Sequence, residues 1–337
     1  MIRANNVVPA TQYSLMKAVI CTKYGPPEVL ELGEVDKPIP KDGEICIKVK
    51  ATSVSAADYR IRSFTVPLSF WLPARIALGI TKPRKPILGI ELAGEIESVG
   101  KDVRKFEVGD EVYAATLQNF GAYAEYICIS EDGPVAVKPS NISFEEAAAI
   151  PISARTALCH FKKANIQKGQ KVLIYGASGS VGTYAVQLSK YFEADVTAIC
   201  SGDNIKMVKA LGADKVIDYT DSNFIKQLET YDIVFLAVDK WSFSLAKRVL
   251  NENGTYINVT TPMKSPAMLW TTMTSGKKVF TGQSSPETAE ALIFLKNLVE
   301  KGVIKPIIDR SYPIHDIVEA HRYVDKGHKK GNVVISI

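Results

Sequence analysis

The residues best suited to chemistry in this chain are Gly176-Ala-Ser-Gly-Ser-Val-Gly182. They follow Lys171-Val-Leu-Ile-Tyr175, a short apolar run rich in branched residues, which is the pattern of a strand buried on both faces. After the glycines, Tyr184, Ala185, Leu188 and Tyr191 or Phe192 recur at helical spacing. Between a strand and a helix, small residues let the backbone come close to a pyrophosphate. The first amides of the helix and its dipole then hold the negative charge. Ala177 takes the place of the first glycine, so the pattern is Ala-x-Gly-x-x-Gly. In this setting it reads as a dinucleotide site rather than a structural turn. Ser178, Gly179, Ser180 and Val181 form the cradle, acting largely through backbone amides.

The nucleotide's identity is read at the end of the next strand, Asp195-Val-Thr-Ala-Ile-Cys200. An acid there usually serves the ribose hydroxyls of NAD. Here the strand ends on neutral Cys200 and Ser201, with Asp203 and Asn204 slightly later, which favours NADPH over NADH. Tyr219 is placed to stack or bond nearby, while Lys206 reads as a solvated helix lysine.

These residues need a scaffold, and the chain has length for about two domains in its 337 residues. A hydrophobic share of 46% and a charged share of 23% are those of an ordinary globular protein. The net charge of +5 is spread along the chain, which suits an anionic cofactor and gives no basic tract for nucleic acid. The five cysteines are far apart, with no Cys-x-x-Cys pair, a usage that fits a reducing, cytoplasmic setting rather than a disulfide framework. No apolar run of about 18 residues predicts a membrane span, and no secretory signal is visible. Residues 1–15 read as a loose extension.

From Met16 to Lys138 the pattern is of short strands separated by Gly and Pro turns. Glu44 to Ala51 alternates charged and apolar residues, and Gly89 to Gly100 and Asp110 to Ala115 continue the series. This predicts a β-rich, partly open barrel. The character changes near Pro139, where Ser143-Phe-Glu-Glu146 has capping-box spacing. Strands and helices then alternate to about residue 282, which demands a parallel sheet covered on both faces. The expected architecture is α/β, with a doubly wound Rossmann domain (139–282) inserted in the β-rich domain (16–138 and 283–337).

The order of these segments resembles the medium-chain dehydrogenase/reductase superfamily over nearly the whole chain from Met16. The resemblance rests on Met16-Lys-Ala-Val, Ser53-Val-Ser-Ala-Ala-Asp-Tyr59, Gly94-Glu-Ile-Glu-Ser-Val-Gly100, Val108-Gly-Asp-Glu-Val-Tyr113, Gly121-Ala-Tyr-Ala-Glu-Tyr126, the glycine turn and Leu211 to Tyr219. It implies a GroES-like catalytic domain, and within the superfamily the chain is most similar to the zinc-independent quinone oxidoreductase branch. Zinc alcohol dehydrogenases of the superfamily use a cysteine after the third strand and a Gly-His-Glu motif. The matching positions here hold Ser55 or Ala56, and Ile90 beside Glu91, too few donors for about three ligands, so no metal is expected. Without a Lewis acid, oxidation of a plain alcohol lacks its alkoxide stabiliser, whereas hydride addition to a quinone or α,β-unsaturated carbonyl needs less help.

The resemblance also implies site residues. Tyr59 matches the active-site tyrosine, whose hydroxyl bonds the substrate carbonyl or else simply packs at the pocket rim. Ser55 stands at the usual asparagine position. Asp58 suits a cap of the following turn. Thr156 matches a threonine at the nicotinamide end. Ser201 and Asn204 match a Ser-x-x-Asn form, and Lys330 and Asn332 a basic segment folding back toward the cofactor. Relatives are commonly homodimers through edge-strand pairing. Alternatives left open are an NAD(P)-dependent alcohol dehydrogenase and a non-catalytic NADPH-binding protein. Finally, residues 66–86 join an apolar patch, Ser69 to Gly79, to Lys82-Pro-Arg-Lys85. The stretch reads as a substrate-side loop over an apolar substrate, with interfacial membrane contact the other reading.

Overall fold

The structure is a computed structural model and describes residues 14–66, 71–261, 264–282 and 288–337. Most of the N-terminal extension, residues Pro67 to Phe70 and the expected junction after residue 282 lie outside this set.

Strands β1 (Leu15–Cys21), β2 (Leu30–Asp36) and β3 (Glu44–Val54) lead into α1 (Ala56–Ser63) and α2 (Trp71–Leu78). Strands β4 (Glu91–Val99), β5 (Glu111–Ala115), β6 (Tyr126–Ser130) and β7 (Val135–Val137) follow. Next come α3 (Phe144–Ala148), α4 (Ser153–Ala164), β8 (Lys171–Tyr175), α5 (Ser180–Tyr191), β9 (Asp195–Cys200), α6 (Ile205–Ala210) and β10 (Lys215–Asp218). Then β11 (Tyr231–Leu236), α7 (Phe243–Arg248), β12 (Leu250–Asn258), α8 (Pro266–Thr274) and β13 (Lys278–Thr281). The chain closes with α9 (Ala289–Glu300), β14 (Ile308–Pro313), α10 (Ile317–Asp325) and β15 (Asn332–Ser336).

The β-rich part is a sheet ordered β14-β15-β3-β4-β5-β7, with β6 also paired to β3. Its register follows from alternation: Ile45, Ile47 and Val49 of β3 meet Leu92, Ile96, Val112, Ile127 and Ile129 inside the barrel. The last strand, β15, pairs antiparallel with β3. The C-terminal segment therefore completes a sheet begun near the N-terminus, and the parallel sheet is an insertion.

The parallel sheet has the order β10-β9-β8-β11-β12-β13. Its strands alternate between two cores. Val172, Ile174, Val196, Ala198, Ile233 and Phe235 face α4, α5 and α9, while Leu173, Tyr175, Ile199, Val234 and Leu236 face the α7 and α8 side. The first of these cores also contains Ala51, Ala93, Tyr113 and Val334 of the barrel sheet, so the two sheets share apolar packing. Each fully buried aliphatic side chain contributes roughly 1.5–3 kcal/mol. The strand order reverses at β8, and the crevice outside its carboxyl end is where such sheets bind ligands.

One segment differs from expectation. Trp71–Leu78 is a helix, not a loop. Pro73 is tolerated because it sits in the first turn, where no intrahelical bond is lost. Arg75 fixes this helix, its guanidinium lying 3.8 Å from the Phe64 ring centroid, 4.8 Å from that of Tyr24 and 5.2 Å from that of Trp71.

Candidate active site

The glycine turn lies where the strand order reverses. Gly176 and Ala177 donate to the Ile199 carbonyl at 3.1 Å each, which folds the turn over the end of β9. Gly182 is required by packing: a Cβ there would stand 2.1 Å from the Gly176 carbonyl oxygen and 2.8 Å from Ala177 Cα. At Gly179 the nearest atom to a built Cβ is 3.5 Å away, so this glycine leaves its space for something outside the protein. Gly179 is also the N-cap of α5 and supplies no side-chain cap. The first-turn amides of Ser180 and Val181 thus form an anion-binding end of the kind a pyrophosphate fits.

Asn204 joins the turn to the end of β9, its amide donating to Ser201 Oγ at 2.8 Å and to Ser178 Oγ at 3.3 Å. Its Oδ1 is buried and has no hydrogen-bond partner among the described residues, an acceptor suited to a ligand hydroxyl. Tyr219, just past β10, is exposed, with its ring centroid 6.3 Å from that of Tyr175, which in turn stacks on Trp241 at 5.3 Å. These expected residues therefore converge on one side of the turn.

At the C-terminal segment the placement departs from expectation. Lys330 is exposed, and its backbone amide is bound by Asp309 at 2.9 Å. Asn332 is buried and donates through both backbone and side-chain amides to the Ile307 carbonyl, at 2.8 and 3.1 Å. Its side chain holds the loop to β14's approach rather than facing the turn. The residue that reaches the cradle is Lys329, whose ammonium donates to Ser180 Oγ and to the Gly331 carbonyl, the latter at 3.1 Å. Gly331 N donates to the Ser178 carbonyl at 2.8 Å, closing the loop against the turn.

On the other wall, Ser55 caps α1. Its hydroxyl donates to Asp58 at 2.6 Å and accepts from the amides of Ala57 and Asp58 at 3.1 and 3.3 Å, while Asp58 accepts the Ser55 amide at 2.8 Å. This completes a capping box. The Ser55 hydroxyl is consumed within the cap, so it has no hydrogen left for a substrate. Asp58 acts as the cap expected of it. Tyr59, one residue on, is half-buried, and no hydrogen bond to its hydroxyl occurs among the described residues. Arg60 donates to the Thr260 carbonyl at 3.3 Å, drawing α1 toward the carboxyl end of β12 and over the mouth of the crevice.

Beneath α1 lies a set of buried ionisable groups. Glu91 is fully buried, bound by Ser53 Oγ and by the Ile152 amide at 2.7 Å, and it ties β3, β4 and the entry to α4 together. Burial pushes its carboxyl up to about 7, against the pull of those two donors. Burial likewise pushes Asp58 up to about 6 despite the bonds from Ser55. Desolvation pulls the Lys329 ammonium down to about 8, with Glu91 and Asp58 opposing. Thr156 is half-buried on α4, and its amide donates to the Ile152 carbonyl at 2.9 Å, within the segment that Glu91 anchors. Arg62 fastens α1 to α10 through Asp325 at 2.6 Å and His321 Nδ1 at 3.2 Å.

Sequence reasoning did not assign roles to Lys329 or Glu91. A visible signal for Glu91 was a lone charge in the apolar run Gly89-Ile-Glu-Leu-Ala93. Nothing local distinguishes Lys329 from Lys330.

Residues 41–140 match the alcohol dehydrogenase GroES-like domain family, and residues 211–335 match the zinc-binding dehydrogenase family. The chain is 32% identical to the chloroplast envelope quinone oxidoreductase homolog of Arabidopsis thaliana, over 95% of this chain and 98% of that one. It belongs to the quinone oxidoreductase branch of the medium-chain dehydrogenase/reductase superfamily. A second Arabidopsis thaliana relative of this medium-chain oxidoreductase, the chloroplastic NADPH-dependent alkenal/one oxidoreductase, is 29% identical over 95% of this chain and 79% of that one. The solved quinone oxidoreductase from Coxiella burnetii superposes with a TM-score of 0.84 at 28% identity, covering 96% of this chain and all of that one.

One of the matched families is described by zinc, and the donor set here does not suit it. Among the described residues no group of three or more His, Cys, Asp or Glu could hold a metal ion. Glu91 is committed to Ser53 and Ile152. Ser55 and Ile90 offer neither thiolate nor imidazole beside it. Among the same residues no helix is long and apolar enough to cross a membrane.

Proposed function

We propose that this medium-chain oxidoreductase reduces quinones or α,β-unsaturated carbonyl compounds with NADPH and without zinc. The observation that carries this reading is the uncapped, cation-flanked glycine turn at α5, with α1, the helix that carries Tyr59, bonded through Arg60 to the segment after β12. The residues fit a dinucleotide: Gly179 leaves open space, the α5 amides accept charge, and Asn204 keeps an unused acceptor. Bound there, NADPH would supply a hydride to an electron-poor carbon.

The chain's own part is to hold and polarise. Ser178, Gly179, Ser180 and Val181 surround the pyrophosphate, with Lys329 adding a formal positive charge. Ser201, Asn204 and Tyr219 take the adenosine end, and Thr156 lies toward the nicotinamide. Tyr59 donates to the acceptor's carbonyl oxygen, where negative charge collects, and a proton from water or this hydroxyl completes the reduction. Ser55 supports this by capping α1, not by touching substrate. The relatives named for quinone and for alkenal/one reduction support the same chemistry.

Purified protein should oxidise NADPH, followed by loss of absorbance, when offered a panel of quinones and enones, and chelators should leave the rate unchanged. Turnover of simple alcohols that disappears with chelation would overturn the reading. So would NADPH binding with no turnover on any acceptor.

We further propose a homodimer formed through β13, the edge strand of the parallel sheet, which light scattering would test. A cytoplasmic location is the matching proposal for the free cysteines, tested by fractionation. The helix α2, with Leu72 and Ile76 exposed, is assigned to the substrate side. Deleting residues 70–80 should raise KM for apolar enones, and an unchanged KM would remove that assignment.

A further inference from the structure

Cys46 and Cys128 are direct partners in the antiparallel pairing of β3 with β6. The hydrogen bonds around them fix which kind of pair they form. Glu131 N donates to the Gly43 carbonyl at 3.1 Å and Val49 N to the Glu125 carbonyl at 2.9 Å, so residues 43 and 131, and 49 and 125, are hydrogen-bonded pairs. Such pairs alternate along an antiparallel ladder, which makes 45/129 and 47/127 bonded and Cys46/Cys128 non-bonded. Opposed Cα atoms in a non-bonded pair stand about 4.5 Å apart with side chains on one face. That spacing lies within the range that a disulfide spans without moving the backbone, roughly 4.4–6.8 Å.

The pair is on the outer face of the sheet, since Ile45, Ile47, Ile127 and Ile129 turn into the barrel. Cys46 is buried beneath the segment after β2, its thiol donating to the Pro38 carbonyl at 3.9 Å. Cys128 is only half-buried. The Cys128 side chain lowers the pKa of Cys46, while Cys46 and burial raise that of Cys128, so in the reduced pair Cys46 is the more acidic thiol.

We propose that Cys46 and Cys128 form a reversible dithiol–disulfide pair, oxidised by low-molecular-weight disulfides such as oxidised glutathione. Cys128 exchanges first because Cys46 is buried out of the reagent's reach: Cys128 gives its proton to solvent base, its sulfur bonds to one glutathione sulfur, the S–S bond breaks, and one glutathione leaves as a thiolate that is reprotonated. Cys46, deprotonated in turn by solvent base, attacks the Cys128 sulfur and expels the second glutathione as a thiolate, which is reprotonated from solvent. Two thiols are oxidised and one disulfide reagent is reduced. The site is independent of the cofactor reading, since neither cysteine borders the glycine turn.

The test uses the full chain, kept folded, with oxidised glutathione and peptide mapping under non-reducing conditions. Wild-type protein should lose two of its five titratable thiols, yield a Cys46–Cys128 cross-linked peptide, and recover both thiols with reductant. C46S should stop at a glutathione adduct on Cys128. A persistent wild-type adduct on Cys128 without the cross-link would overturn the proposal, as would retention of all thiols or a cross-link between other cysteines.

Discussion

The ammonium of Lys329 donates to the hydroxyl of Ser180, joining the loop before β15 to the first turn of α5. These residues are 149 positions apart in the chain. The contact places a formal charge beside the amides and helix dipole of the glycine turn, the combination an anion binds best. NADPH and NADH share the pyrophosphate, so Lys329→Met should weaken both by a similar factor. A hydrogen bond to a charged group is worth about 1.5–3 kcal/mol, or roughly tenfold to a hundredfold in Kd. Lys330→Met, at an exposed position, should change Kd less than about twofold. Fluorescence titration with both nucleotides decides this, and a loss confined to NADPH would move Lys329 to the 2′-phosphate.

The two glycines of the turn should respond differently to alanine. At Gly182 a Cβ meets backbone atoms at 2.1 and 2.8 Å, so α5 must move off β8. Overpacking of this kind costs roughly 1–3 kcal/mol and should lower Tm. At Gly179 the nearest protein atom is 3.5 Å away and φ is −81°, so Gly179→Ala should fold with an unchanged Tm. Its methyl would occupy the space left for the pyrophosphate, so its nucleotide affinity should fall sharply. A G179A protein with ordinary affinity would show that the cradle lies elsewhere.

The turn and its flanks were readable in sequence because every signal is local: a branched apolar run, small residues, and helical spacing within Lys171 to Phe192. The Ser55–Asp58 capping box is local in the same way, and Asp58 was read correctly as a cap. Lys329, Glu91 and the Cys46–Cys128 pair were not readable, because each acquires its partner by strand pairing or chain return over long separations. Lys329 and Lys330 are identical to any pattern; in the fold the Lys330 amide donates to Asp309 while the Lys329 ammonium turns inward to Ser180. The same limit explains Asn332, which the family resemblance directs toward the cofactor while the fold uses its side chain to bind the Ile307 carbonyl. At Trp71–Leu78 the proline in the sequence is compatible with a helix because Pro73 falls in the first turn, where it removes no intrahelical bond.

Glu91 should make stability fall with rising pH. Its folded carboxyl titrates at about 7, above the ordinary 4.5, so the folded state holds the proton more tightly than the unfolded chain. That contribution is complete below pH 4.5 and is lost as pH rises through 7. Glu91→Gln keeps an acceptor for Ile152 and removes the charge. Relative to this variant, wild type should become less stable between pH 4.5 and 7 by up to about 3 kcal/mol. Parallel Tm curves for the two proteins across that interval would show that Glu91 is not buried as a neutral acid.

Ser55 and Tyr59 should separate support from chemistry. Ser55→Ala removes the N-cap of α1, whose hydroxyl serves Asp58 and two amides. Loss of such a cap costs about 1 kcal/mol and should appear in Tm. With no spare hydrogen on that hydroxyl, kcat should stay near wild type once the protein is saturated with NADPH. Tyr59→Phe keeps the ring that packs between α1 and its neighbours and deletes only the hydroxyl, so Tm should hold. If that hydroxyl bonds the acceptor's oxygen as charge builds on it, kcat/KM for an enone should fall about tenfold to a hundredfold, the range for a hydrogen bond to a charged group. On the same proposal NADPH affinity should not change, because the phenol would meet the acceptor and not the nucleotide. Normal turnover by Y59F would leave Tyr59 as a packing residue, and the proton and the charge would have to be met by water.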